Sequence, residues 1–133
     1  MRLVVDTNSL LRSIPRKSPY HDFWKSLFDG RNIFCVSNEI LHEYEEILQR
    51  KTTHDFTAIV IRAIINNPYT EHISPYFAFN LITKDPDDNK FVDCAIAGNA
   101  KFVVTNDHHF NILKTIEFPK VDIISLEDIM SKI

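Results

Sequence analysis

The sequence predicts an α/β fold in which a central parallel sheet is flanked by helices in three layers. Short apolar runs typical of buried strands alternate with longer segments whose apolar residues recur at helical spacing. Strands that are joined through helices favour right-handed crossovers and therefore parallel pairing. The strand-like runs are 3–5, 33–36, 102–104 and 121–124.

Helical spacing predicts four helices in the first half of the chain, near 9–12 and over 20–29, 38–50 and 55–66. Pro15 and Pro19 separate the first two. Ser37 or Asn38 caps the third, which is the clearest helix of the sequence. The fourth follows the third closely, so we expect the two to pack as a helical hairpin.

The second half of the chain is less regular. Residues 70–84 contain one short strand-like segment at 72–73, and the rest of that stretch is treated as a connection. A short helix is expected at 108–114, after the third strand. Ser125 should cap a closing helix after the last strand.

Length and composition predict one cytoplasmic domain spanning 1–133. A chain of 133 residues with 44% hydrophobic content can bury a core of its own. No apolar run approaches the length of a membrane helix, and the amino terminus becomes acidic too early for a signal peptide. The formal net charge of −3 argues against broad electrostatic binding to nucleic acid.

The cysteines and glycines of the sequence argue against a disulfide and against a glycine-rich nucleotide-binding loop. Cys35 and Cys94 lie in apolar surroundings, so buried thiols are expected rather than a disulfide. With only two glycines, the chain has neither a P-loop nor a GxGxxG turn. Nucleotide cofactors held by such loops are therefore not expected.

The stretch 85–97 places four carboxylates within nine residues, ahead of an apolar helical pattern. The helix should begin at Asp87 or Asp88. At 100° per residue, Asp88 projects to the same side as Phe91 and Val92 and should point inward. A half-buried carboxylate needs hydrogen bonds, a cation or a metal. The alternative for Asp88 is an N-cap satisfied by the amides of its own helix.

Two other aspartates follow predicted strands. Asp6 comes directly after the strand 3–5, and Asp107 lies three residues beyond Val104. Ligands of open parallel sheets bind in the crevice beyond the carboxyl ends of the strands. The two acids should meet in this crevice, and Asp88 joins them if its helix starts on the same side.

A fourth acid can come from the helix over 38–50. Glu39 and Glu46 project to the far side of its apolar stripe. Glu43 and Glu45 flank the stripe on opposite edges. Helix geometry alone leaves Glu43 and Glu45 as equal candidates.

Several carboxylates in one crevice predict a divalent metal, because they cannot all stay ionised without a counterion. Oxygen ligands without cysteine or paired histidine favour Mg²⁺ or Mn²⁺. Such ions can activate water for phosphodiester hydrolysis. Lys84 and Lys90 flank the acids as candidates for phosphate contacts or as ordinary solvated charges. His108 and His109 are assigned to the surface, since adjacent side chains point in different directions.

Four segments, in this order, resemble the PIN-domain family: 4–8, 37–50, 85–91 and 103–107. More specifically, the chain resembles the PIN-type toxin components of bacterial toxin–antitoxin systems, which are related to VapC ribonucleases. The resemblance covers nearly the whole chain, although 70–82 carries no matching motif. It implies a Mg²⁺- or Mn²⁺-dependent endoribonuclease.

The resemblance also implies a set of site residues. The metal ligands and catalytic groups would be Asp6, Glu43, Asp88 and Asp107, which selects Glu43 over Glu45. Asp85, Asp87 and Asp93 stay open as residues that share or replace the role of Asp88. Thr7, Asn8 and Thr105 match family positions that support the site through hydrogen bonds, and Asn8 and Thr105 are candidates for substrate binding. Lys90 is a third such candidate, because it flanks the acids in the sequence.

Three functional readings follow. A toxin would have RNA as substrate, a cognate antitoxin as partner and a homodimeric state. The alternative is a PIN fold that binds RNA or protein without cleavage. A phosphoacceptor module is disfavoured, because the first strand leads into Asp6-Thr7-Asn8 and not into a pair of acids.

Overall fold

The computed structural model describes residues 1–133 and contains one sheet of five strands in which all neighbouring strands run parallel. The strands are β1 (Arg2–Val5), β2 (Ile33–Val36), β3 (Thr70–His72), β4 (Phe102–Val104) and β5 (Ile123–Ile124). Their order across the sheet is β3-β2-β1-β4-β5. The α/β class with a central parallel sheet flanked by helices is confirmed.

Six α-helices and two 3-10 helices connect and flank the strands. The α-helices are α1 (Thr7–Ser13), α2 (His21–Ser26), α3 (Asn38–Lys51), α4 (His54–Asn66), α5 (Asn89–Ala97) and α6 (Leu126–Ile129). The 3-10 helices are Pro86–Asp88 and His108–Thr115. Ser37 caps α3 and Ser125 caps α6, as their sequence context predicts.

The helix predicted over 20–29 is shorter than expected. Its α-helical part ends at Ser26, because the carbonyl of Ser26 accepts the backbone N–H of Asn32 at 3.1 Å. The amides of Leu27 and Phe28 bond three residues back, which tightens the last turn. The strand expected at 72–73 begins two residues earlier and pairs with β2 at the edge of the sheet.

The core lies on both faces of β1, whose Leu3, Val4 and Val5 have no exposed surface. On α3, Ile40, Tyr44 and Leu48 face this core, and α4 packs against α3 as the predicted hairpin. The Tyr44 hydroxyl donates to the Val5 carbonyl, which fixes α3 against the end of β1. Cys35 and Cys94 are buried free thiols, as predicted.

The connectivity creates a crevice between β1 and β4. From β1 the chain moves outward to β2 and β3 and then returns to β4 and β5 on the other side. Connections from two adjacent parallel strands that leave in opposite directions open a crevice at their carboxyl ends. Asp6 follows β1 there, and its N–H donates to the carbonyl of Val104 at 3.1 Å. Thr105 and Asp107 follow β4 at the same edge.

No helix of the protein combines the length and the apolar character that crossing a membrane requires.

Candidate metal centre

Asp6 is held at the end of β1 by two hydrogen bonds. One oxygen accepts the N–H of Ser9 at 2.8 Å and caps α1, and the other accepts the hydroxyl of Thr105. The side chain is buried, and burial raises the pKa of Asp6 despite these bonds. The Thr105 oxygen also accepts the N–H of Asp107 at 3.0 Å, so one hydroxyl links the two acids.

Asp107 begins the 3-10 helix after β4. Its Oδ1 accepts the N–H of His109 at 2.9 Å, so Asp107 caps this helix. Capping does not remove Asp107 from the crevice. Its negative charge contributes to the raised pKa of Asp6 and to that of Asp88.

Asp88 points inward from the junction of the 3-10 helix Pro86–Asp88 with α5. It forms no capping hydrogen bond, so the N-cap alternative for this residue is wrong. Its side chain is 15% exposed, and its Oδ2 is buried without any hydrogen-bond partner. Burial, followed by the charges of Asp85, Asp107, Asp6 and Glu43, raises the pKa of Asp88 to about 7.

Glu43 is the half-buried acid of α3, whereas Glu45 is exposed. Two neighbours hold the Glu43 carboxylate: the Thr7 hydroxyl donates to Oε2, and Lys90 Nζ lies 2.6 Å from Oε1. The contact geometry therefore separates two glutamates that helical spacing left equal. Lys90 is 15% exposed, so the alternative of a solvated flanking charge is wrong for this lysine.

His109 lies among the acids, contrary to its predicted surface position. Its Nδ1 is 3.5 Å from Asp107 Oδ1, and it is 3.9 Å from the nearest oxygens of Asp88 and Asp85. This nitrogen is buried and has no hydrogen-bond partner. The rings of His108 and His109 have centroids 4.4 Å apart, so they do not point in different directions.

The 3-10 helix accounts for this arrangement, because His109 immediately precedes Phe110, which is completely buried in the core. Anchoring of Phe110 holds the start of the helix against the crevice. The signal in the sequence is the spacing Asp107-x-His109, which begins three residues after the end of a strand.

The other three acids of the run 85–93 differ in what surrounds them. Asp85 lies beside His109 and Asp88. Asp87 is exposed, and Asp93 accepts the N–H of Phe79 at 3.1 Å. Asp85 is thus the acid that geometry adds to the neighbourhood of Asp88.

The structure brings the four predicted ligands to one region, but their carboxylate oxygens do not form a single close group. Two groups have potential ligand atoms within 4.8 Å of one another: Asp85, Asp88 and His109, and Asp107, His108 and His109. Asp6 and Glu43 belong to neither group, yet both are close enough to raise the pKa of Asp88.

Asn8, the remaining predicted residue, is exposed and lines a small cavity beside the acids. That cavity is bordered by Asp6, Asn8, Ser9, Arg12, Asn106 and Asp107. A cleft of about 630 Å³ is lined only by polar and charged residues, Glu43 and Lys90 among them. Another cavity, of about 670 Å³, is mostly apolar and contains none of these acids.

The central side chains fit a divalent cation. The distances of 3.5–3.9 Å from His109 Nδ1 to the carboxylates are too long for hydrogen bonds. Ligand atoms that share one ion at about 2.0–2.3 Å lie roughly 3–4.5 Å from one another. A bound cation would also satisfy the buried Asp88 oxygen that has no partner.

Comparison with known proteins agrees with this architecture. A sequence model of the PIN domain matches residues 2–109. No curated protein shows significant sequence similarity to the chain.

Several solved structures share the fold at low sequence identity. VapBC2 from Rickettsia felis, bound to a DNA fragment from its promoter, matches with a TM-score of 0.65 at 18% identity, over 94% of this chain and 98% of that chain. PAE2754 from Pyrobaculum aerophilum gives a TM-score of 0.62 at 12% identity, over 99% and 94% of the two chains. The PIN domain endonuclease Utp24 gives 0.54 at 18% identity, over 93% and 84%.

Proposed function

Because the chain belongs to the PIN domain family, whose fold is that of nucleases, we propose that it is a metal-dependent endoribonuclease that hydrolyses RNA phosphodiester bonds. One observation carries the proposal: the buried Asp88 oxygen has no hydrogen-bond partner and lies beside Asp85 and His109. We propose that residues 1–133 form one domain, which carries all of the candidate site residues.

In this proposal Asp6, Asp88 and Asp107 are metal ligands, and Glu43 is a ligand or orients the attacking water. Bound Mg²⁺ or Mn²⁺ would activate water and stabilise the leaving oxygen. Thr105 keeps Asp6 and Asp107 in register through its two hydrogen bonds.

Two further residues border the site. Lys90 holds Glu43 and places a positive charge beside it, where it can meet a substrate phosphate. Asn8 presents its exposed amide to the cavity beside Asp6 and can donate to RNA.

Cleavage of a labelled single-stranded RNA tests this function. Wild-type protein should cut it in Mg²⁺ or Mn²⁺ and not in chelator, and Asp6→Asn should lower the rate by at least about a hundredfold. Asp55→Asn, which removes an exposed acid from α4, serves as the charge-matched control. RNA binding without metal-dependent cleavage would instead favour the non-cleaving alternative.

We further propose that the protein is the toxin component of a toxin–antitoxin system, acts in the cytoplasm and forms a homodimer. The structural similarity to a VapBC complex supports an antitoxin partner. The apolar groove between α1, α2 and the α3–α4 hairpin is a suitable docking place. Its apolar lining includes Leu11, Ile14, Trp24, Leu48, Phe56 and Ile59.

Substitutions on α4 test the partner proposal. Ile59 lines the groove and is 62% exposed, whereas Ile65 is 48% exposed and lies outside it. Ile59→Glu should weaken binding to the product of a short neighbouring reading frame by about tenfold or more, while Ile65→Glu should not. RNA cleavage should be unchanged in both. Equal binding by the two variants would remove the groove as the docking site.

A further inference from the structure

We infer that His109 is a nitrogen ligand of the metal centre and gives this site a preference for Mn²⁺ over Mg²⁺, an inference that rests on the metal centre of the proposed function. The acids of the resemblance supply oxygen only. His109 adds a different donor atom at their centre.

The position of His109 is constrained by its neighbours. Its backbone N–H donates to Asp107 Oδ1 at 2.9 Å, and the next residue, Phe110, is fully buried. Consequently Nδ1 faces Asp85, Asp88 and Asp107 at 3.5–3.9 Å. A buried imidazole nitrogen and a buried carboxylate oxygen, both without partners, converge on the same small volume.

Direct pairing of the imidazole with the acids fits the geometry less well. A hydrogen bond between Nδ1 and a carboxylate would need a separation of about 2.7–3.2 Å. All three separations exceed that range by several tenths of an ångström or more. The ligand atoms of Asp85, Asp88 and His109 all lie within 4.8 Å of one another, which is the spacing expected of ligands around a shared ion.

The donor set determines which ion is favoured. Mg²⁺ is a hard cation that keeps water and oxygen ligands in near-ideal octahedral geometry. Mn²⁺ also prefers hard oxygen ligands, but it binds nitrogen donors more tightly than Mg²⁺ does. Replacing one oxygen ligand by imidazole therefore shifts the ratio of the two affinities towards Mn²⁺.

Pulsed electron paramagnetic resonance of Mn²⁺ bound to the protein tests the inference. The wild type should show hyperfine coupling from a directly bound ¹⁴N nucleus. His109→Asp should lose this coupling and lower the Mn²⁺-to-Mg²⁺ affinity ratio by about tenfold, since it exchanges nitrogen for oxygen. His54→Gln, at an exposed histidine of α4 that belongs to neither group of potential ligands, is the matched control and should retain both.

The outcomes separate the inference from the proposed function. Nitrogen coupling that is absent in the wild type, or that persists in His109→Asp, overturns the inference even if RNA is cleaved. Nitrogen-coupled Mn²⁺ in a protein that cleaves no RNA supports the inference and counts against the ribonuclease. A thermal melt shows whether His109→Asp is folded. If it is not, His109→Asn is used in its place, and the presence or absence of ¹⁴N coupling in the wild type still tests the inference.

Discussion

Asp88 shows how a single residue can be placed at an energetic cost. Its position one helical turn before Phe91 and Val92, both buried, turns the carboxylate inward. Neither the 3-10 helix before it nor α5 after it supplies a hydrogen bond to Oδ2. A buried charge without a partner is unfavourable, so the position makes sense when a cation binds there.

Burial of the Asp88 carboxylate predicts that the stability of the metal-free protein depends on pH. The pKa of Asp88 is raised to about 7 in the folded protein, so the folded state holds a proton that the unfolded state has already lost. In chelator, the free energy of unfolding should therefore fall as pH rises from about 4 to about 7. The raised pKa of Asp6 acts in the same direction.

Asp88→Asn should flatten this profile. At pH 8 it should stabilise the metal-free protein by about 1–2 kcal/mol, less than the full shift implies because the side chain is partly solvated. Urea denaturation at a series of pH values measures the effect, with Asp55→Asn as control. Parallel profiles for wild type and Asp88→Asn would contradict the explanation.

At the scale of elements, the site depends on how strands β1 and β4 end. Their register pairs Val5 with Val104, so the residues that follow both strands leave the sheet at the same level. Thr105 uses this proximity: its hydroxyl donates to Asp6 and accepts from the N–H of Asp107. It is therefore a positioning residue for both acids.

Thr105→Val preserves the shape of this side chain and removes both hydrogen bonds. We expect a loss of about 1–2 kcal/mol in unfolding free energy, because a buried carboxylate oxygen loses its donor. Metal-dependent cleavage should fall by at least about tenfold, since Asp6 and Asp107 are no longer held together. Thr115→Val, at an exposed threonine, is the control. Full activity in Thr105→Val would show that the link is dispensable.

In the whole molecule, the side chains of the candidate site come from segments that are far apart in the chain. Asp6 follows β1, Glu43 lies on α3, Asp85 and Asp88 precede α5, and His109 follows β4. A cation bound among them would connect segments that otherwise meet mainly through the sheet. Binding to the folded state alone adds to stability by mass action.

Divalent metal should therefore raise the melting temperature. At a concentration about 100 times the dissociation constant, the gain in unfolding free energy should be about 2.7 kcal/mol. Thermal denaturation with Mn²⁺, Mg²⁺ or chelator measures it, and Asp88→Asn should lose most of the gain. A wild-type melting temperature that is the same in metal and in chelator would argue against a metal centre.

The fold class and most helices and strands of the protein could be predicted from local sequence patterns. Strand-like runs and helical spacing are local patterns, so β1, β2, β4, α3 and α4 were found close to their observed bounds. The positions of Asp6 and Asp107 at strand ends, and the inward direction of Asp88, followed from the same local periodicity. The end of α2 was not predictable from helical spacing. The carbonyl of Ser26 accepts the N–H of Asn32, a residue that lies beyond the helix.

The contacts that complete the candidate site became visible only in the folded protein. The pairing of Glu43 with Lys90 joins residues 47 positions apart, and that choice over Glu45 depends on how α3 packs beside α5. The contacts of His109 with Asp88 and of Asp93 with Phe79 likewise depend on the packing between elements. Periodicity gives the face of one helix or strand, but it does not encode the distances and angles between elements, which packing of the core sets.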